Sequence, residues 1–98
     1  MKRLNGNILL GWEEVVVLRV VMANHGVTID EIANHAICGS RRTFKRALRF
    51  LERHYMVLSR YTLACPTTYV LGVDRAVIER ILQRSEDALI THEITCLQ

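Results

Sequence analysis

The chain has 98 residues, of which 50% are apolar, 23% charged and 6% aromatic, with five glycines and one proline. That length holds one domain around a single core, and so apolar and proline-poor a composition excludes a disordered or low-complexity chain. The net charge of +3 decides little, but its placement decides more: between Arg41 and Arg60 seven basic residues stand against one acid, Glu52, while the remainder carries a net negative charge.

The first predicted element is a helix from about Trp12 to His25, ended by Gly26, with Glu13 and Glu14 near its positive N-terminus. Its Val15-Val16-Val17-Leu18 run suits a buried strand by propensity, yet its length and lack of alternation favour a helix buried on most sides. Thr28 is expected to cap a short helix from Ile29 to about Ala36 or Ile37, because Thr28-x-x-Glu31 is a capping box. Ile29, Ile32, Ala33 and Ala36 form its inward face, Cys38-Gly39 breaks it, and Ser40 is a strong N-cap for a third helix.

That third helix, Arg41 to about Tyr55, is the most informative. At about 100° per residue, with Arg41 at zero, Phe44, Ala47, Leu48, Leu51 and Tyr55 fall between about 240° and 340°. Arg42, Lys45, Arg46, Arg49 and Arg53 fall between about 40° and 140°, almost opposite. One side anchors in a core and the other presents a cationic stripe. That stripe lacks the interleaved acids with which a merely solvated helix face pairs its cations.

Val57 to Leu63 then reads as a strand, Ala64-Cys65-Pro66-Thr67 as a turn and Thr68 to Leu71 as the returning strand, with Gly72 ending the hairpin. Asp74 opens a long last helix through about Thr91 or Ile94. Val77, Ile78, Ile81, Leu82, Ala88 and Leu89 form one stripe along it, interrupted by Ser85 and His92. The stripe spans on the order of 24 Å, more than so small a domain should need to cover. It is therefore expected to pair with a second copy, Ser85 and His92 fixing the register, although folding back over its own core is the alternative.

The order of these elements resembles the winged helix-turn-helix family over roughly residues 12–72. The residues that carry the likeness are Thr28-Ile29-Asp30-Glu31-Ile32-Ala33, Gly39-Ser40-Arg41-Arg42-Thr43-Phe44-Lys45-Arg46-Ala47-Leu48-Arg49-Phe50-Leu51-Glu52 and Tyr55-Met56-Val57. They are similar to that family's support helix, tight turn, recognition helix and exit into the wing. The resemblance implies an α+β fold, mainly α with a small β-hairpin, with residues 1–73 as a DNA-binding unit and 74–98 as a dimerisation helix within one compact domain.

It also implies a small dimeric transcriptional regulator of bacterial, phage or plasmid type that binds double-stranded DNA. Ser40, Arg41, Arg42, Thr43, Lys45 and Arg46 would then face base edges and nearby phosphates, and Arg49, Arg53 and Arg60 the phosphates. On the wing, Tyr61, Thr62, Thr67, Thr68 and Tyr69 are further donors to phosphate. The rival expectation is a protein-interaction module of the same shape, such as a phage-encoded inhibitor or assembly factor, whose cationic helix meets an acidic protein. A regulatory protein partner fits either expectation.

Other chemistry finds no purchase. His25, His35, His54 and His92 are scattered, no Cys or His pair has the short spacing of a zinc site, and no phosphate loop or nucleophile elbow occurs. Neither an enzyme nor a cofactor is expected. Cys38, beside a helix N-terminus that stabilises a thiolate, reads as a small turn residue before a redox trigger. The apolar run Ile8-Leu9-Leu10 is too short for a signal-peptide core, and Val15 to Met22, broken by Arg19, is too short to span a bilayer. Three widely spaced cysteines, Cys38, Cys65 and Cys96, suggest reduced thiols, so the expected setting is the cytoplasm, away from membranes.

Overall fold

The computed structural model describes residues 8–24, 26–35, 39–63 and 65–97. Its elements are α1 (Trp12–Ala23), β1 (Val27–Thr28), α2 (Ile29–His35), α3 (Arg41–Arg53), β2 (Val57–Thr62), β3 (Cys65–Leu71) and α4 (Arg75–Leu97). This is the expected α+β class, but the hairpin is part of a three-stranded antiparallel sheet in the order β1-β3-β2. Val27 pairs with Tyr69 and Thr28 with Thr68. Two residues are too few to leave a strand pattern in sequence.

α1 is wrapped on most sides, with Val15, Val17, Leu18 and Val21 buried and Val20 and Met22 packed against the same core. It stops two residues earlier than expected. The Asn24 backbone N–H and its side-chain Nδ2 both donate to the Val20 carbonyl, at 2.9 and 3.0 Å. Gly26 then takes a left-handed φ of 79° that a side chain would resist.

The expected capping box forms. Thr28 N–H donates to Glu31 Oε1 at 3.3 Å and Glu31 N–H to Thr28 Oγ1 at 3.2 Å. The same Thr28 closes β1, so one residue ends a strand and starts a helix. Ala36, Ile37 and Cys38 fall outside the described residues, as do His25, Ala64 and the side chain of His92.

α3 is held by Phe44, Ala47, Leu48 and Leu51, each 2% exposed or less. It ends at Arg53 rather than Tyr55, through two backbone bonds: Tyr55 N–H donates to the Glu52 carbonyl and Met56 N–H to the Leu51 carbonyl, both at 3.0 Å. This is a Schellman closure, and it puts Tyr55 at φ 63°, where Gly is usual. The helical register predicted Tyr55 on the apolar face; instead it makes the turn into β2.

The turn expected at Ala64-Cys65-Pro66-Thr67 is corrected: β3 already begins at Cys65, and Thr62 pairs with Cys65. Between the Thr62–Cys65 and Arg60–Thr68 pairs, Pro66 and Thr67 oppose Tyr61 alone, a β-bulge. Pro66 is tolerated there because β1 reaches only Thr68 and Tyr69, so no neighbouring strand asks Pro66 for an N–H on that side.

α4 runs 23 residues to Leu97, longer than expected and about 34 Å at helical rise. Its first half folds onto the core of the same chain. Ile78, Ile81 and Leu82 are at most 1% exposed and share one cluster with Val17, Leu18 and Leu51. Ser85, the buried polar residue of the core, accepts the Leu10 N–H at 2.9 Å. Glu86 pairs with Arg19 of α1. The expectation that Ile78, Ile81, Leu82 and Ser85 meet a second copy is thereby corrected. The core formed by α1 and the sheet is open on one side until α4 closes it, and closing it occupies these four. No helix among the described residues is long and apolar enough to cross a membrane.

Candidate nucleic-acid interface

The site begins at Gly39 and Ser40. Gly39 has φ 119°, and Ser40 Oγ accepts the Thr43 N–H at 3.2 Å, so the chain turns sharply and α3 starts at Arg41 with a satisfied first turn. Thr43 Oγ1 lies 2.9 Å from Ser40 Oγ and is half-buried, so this hydroxyl is already engaged in the cap.

Because Phe44, Ala47, Leu48 and Leu51 fix the rotation of α3, the opposite side is presented to solvent. Arg42, Lys45, Arg46 and Arg49 are exposed and line one shallow cleft along the helix, and Arg53 is exposed further along. Among the described residues no carboxylate lies within ion-pair distance of Arg42, Lys45, Arg46, Arg49, Arg53 or Arg60. Their positive charge is uncompensated in the free protein, the state in which an anionic partner gains most.

Arg41 behaves differently. Its Nη1 is 2.9 Å from Asp30 Oδ1 of α2, both side chains well exposed, so the first cation of the helix is tied back to the supporting helix. A pair so exposed contributes only about 0–1 kcal/mol. It opens at small cost when a stronger anion arrives.

The sheet joins the interface at Tyr69. Burial pushes its phenol above the ordinary value of 10.0, with the Glu52 carboxylate adding to the shift and the Arg49 guanidinium opposing it. The charges at the end of α3 thus act on Tyr69, while β2 is the strand that packs against α3 and β3 packs against α1. Residues directly opposite in an antiparallel pair share a face, so Ser59 and Tyr69 lie on the face toward α3, and Tyr61, two residues on, follows them. Arg60 and Thr68 lie on the other face. Thr62, Thr67 and Thr68 are all on the wing, Thr62 exposed and the other two half-buried.

Sequence reasoning places the stripe but misses three things. Asp30 as partner of Arg41 spans the helix-turn-helix and leaves no local signal. β1 is too short to see. The apolar exposure of the hairpin is available in Leu58, Tyr61 and Leu63, which are 52%, 72% and 95% exposed, but alternation implies that half of these would be covered. Phe50 and His54, with ring centroids 4.5 Å apart, brace the C-terminal end of α3. Among the described residues no three His, Cys, Asp or Glu side chains converge as metal ligands would.

The sequence matches no family model and no curated protein. The fold does have counterparts among solved structures. A mutant of Staphylococcus aureus MepR, a transcription regulator of the multidrug efflux pump MepA, superposes with a TM-score of 0.61 at 19% identity, over 91% of this chain and 67% of that one. MepR in a DNA complex superposes with a TM-score of 0.59 at 19% identity, over 91% and 82%. F-93 of SSV1 gives 0.59 at 18% identity, over 87% and 94%. The chain shares with them the winged helix-turn-helix fold, α2 and α3 forming the helix-turn-helix and β2–β3 the wing.

Proposed function

We propose that the protein binds double-stranded DNA as a small dimeric transcriptional regulator, with α3 in the major groove. One observation carries this reading: five exposed cations on the side of α3 opposite its core anchor, with Arg60 on β2 as a sixth, stand without an ion-pair partner among the described residues. Arg42, Lys45 and Arg46, in the first turns, are the residues for base edges and flanking phosphates, and Ser40 and Thr43 set the helix start. Arg41 exchanges Asp30 for a phosphate. Arg49, Arg53 and Arg60 add affinity without sequence choice. That MepR has been captured with DNA supports the same use of the shared fold.

In this reading the second copy meets the distal half of α4. Past Ser85 the stripe continues through Ala88, which is exposed, and Leu89, half-buried against the edge of the chain's own core, with Ile90, 47% exposed, beside it; His92 would follow by helical spacing alone. Val77, half-buried at the other end, lines an open cleft with Arg80, Ile81, Gln83 and Arg84 and is secondary to the contact. A two-fold dimer presents two α3 helices to half-sites about one helical turn apart. Residues 1–73 serve as the DNA-binding unit and 74–98 supply the pairing helix as well as the last wall of the core. The protein works in the cytoplasm, where its DNA is.

The test is charge reversal. Arg42→Glu with Arg46→Glu leaves the core untouched and is expected to abolish duplex binding in an anisotropy titration. An unchanged affinity in that double variant removes α3 from the groove.

A further inference from the structure

Two acids open α2, and the fold uses them differently. Glu31 is spent on the capping box, its Oε1 accepting the Thr28 N–H at 3.3 Å and the Thr28 hydroxyl at 3.1 Å. Asp30 reaches α3 instead, with Oδ1 2.9 Å from Arg41 Nη1. Both acids lie in the first turn of α2, where the helix dipole favours them. Arg41 is in the opposite position. It opens α3, whose first turn holds no acid, so its guanidinium sits at a positive helix end. By helical spacing it lies about 40° from Lys45, at the rim of the cationic stripe. Among the described residues Asp30 is the carboxylate that pairs with a cation of α3.

From this we infer that Asp30 is an autoinhibitory latch: in the free protein its carboxylate occupies the place on Arg41 that a DNA phosphate takes in the complex. The inference rests on the DNA-binding reading above and names how that site limits its own affinity. Exchange of Asp30 for a phosphate gives Arg41 one anion for another, and it leaves the Asp30 charge beside a polyanion. The pair thus adds no net charge to the interface, and the seven cations between Arg41 and Arg60 act as six.

Phosphates are alike in every duplex, so the cost of the latch is independent of sequence. It lowers the part of the affinity that comes from charge and leaves Arg42, Lys45 and Arg46 free for base edges. Each further cation that neutralises a phosphate steepens the salt slope by about 0.9, which makes the latch measurable.

The experiment uses the full chain and two labelled duplexes, one selected from a random library and one of arbitrary sequence, in anisotropy titrations from about 50 to about 200 mM salt. Asp30→Asn keeps the side-chain shape at an exposed position and leaves the capping box in place. It is expected to bind both duplexes about three- to tenfold more tightly at about 0.1 M salt, with a slope steeper by about one. Asp30→Glu keeps the charge and is expected to bind as the wild type does. In an Arg41→Ala background the gain from Asp30→Asn is expected to shrink by about two- to fivefold, the share that passes through the pair.

Affinity and slope unchanged or lowered by Asp30→Asn overturn the latch and leave the DNA reading standing. So does a gain confined to the selected duplex, which would make Asp30 a reader of bases. A gain undiminished without Arg41 also overturns it, because Asp30 then repels DNA on its own. Absence of any binding by the wild type overturns both.

Discussion

Gly39 and Phe44 define where the cationic helix begins. A β-carbon built on Gly39 would lie 2.7 Å from Phe44 Cζ, and Gly39 itself stands at φ 119°. Phe44 is 2% exposed and cannot retreat without opening the core. The turn and the anchor of α3 are therefore one feature: backbone freedom at Gly39 is what lets the ring of Phe44 lock the rotation of the helix.

Gly39→Ala is accordingly expected to destabilise the fold by about 1–3 kcal/mol, from the strained backbone and the displaced ring together. It should weaken DNA binding more than its stability loss explains, because the stripe turns with Phe44. Urea unfolding and an anisotropy titration on the same preparation separate the two effects.

A second glycine governs the far end of α3. A β-carbon at Gly72 would meet the Tyr55 carbonyl oxygen at 2.5 Å, and Gly72 N–H donates to the Met56 carbonyl at 2.8 Å. Backbone cannot yield as a side-chain tip can. Gly72→Ala should lower the urea midpoint by the equivalent of about 1–3 kcal/mol with the m-value unchanged. No loss of stability would place the β2–β3 exit differently from the structure.

How much of the fold is legible in the sequence depends on the range of each interaction. The capping box at Thr28 and Glu31 and the Ser40 cap are local, three residues apart, and can be read directly. The rotation of α3 is also legible, because 3.6-residue periodicity alone separates Phe44 and Leu51 from Arg42 and Arg46. The fate of α4 is not. A stripe of Ile78, Ile81 and Leu82 is the same string whether it meets its own core or a second copy. What decides it is the Leu10–Ser85 bond across 75 residues, which no periodicity contains. The hairpin turn is misplaced by sequence alone because Pro66 reads as a turn residue until the bulge and the short reach of β1 are seen.

Ser85→Ala tests that long-range closure. It leaves the Leu10 N–H buried without an acceptor, which costs about 1–3 kcal/mol. Ser85→Ala should therefore lower stability with the DNA salt slope preserved. A variant as stable as the wild type would mean that α4 does not close this core.

Pairing of two copies is tested further along α4. Ile90→Glu puts a carboxylate on an exposed position beyond the core, so folding should survive while sedimentation shifts from dimer to monomer and binding falls to half-site strength. A dimer that survives Ile90→Glu moves the interface away from the distal half of α4.

Tyr69 predicts an alkaline limb. Its pKa is raised in the folded protein, so its contribution to stability is fully present below about pH 10 and is lost as the pH rises through the folded value. Tyr69→Phe should flatten the fall in unfolding midpoint above about pH 10. An identical fall in both proteins would show that Tyr69 is not the group responsible.

On the proposed function, the unpaired cations of α3 and β2 meet phosphate. A duplex titrated across a salt series measures this most directly. Six phosphate contacts give a log–log slope of about −5. Tight binding at low salt with a slope of about −4 to −6 is the predicted result. No binding at low salt, or binding whose slope is close to zero, would take DNA away from the cationic face and assign that face to an acidic protein instead.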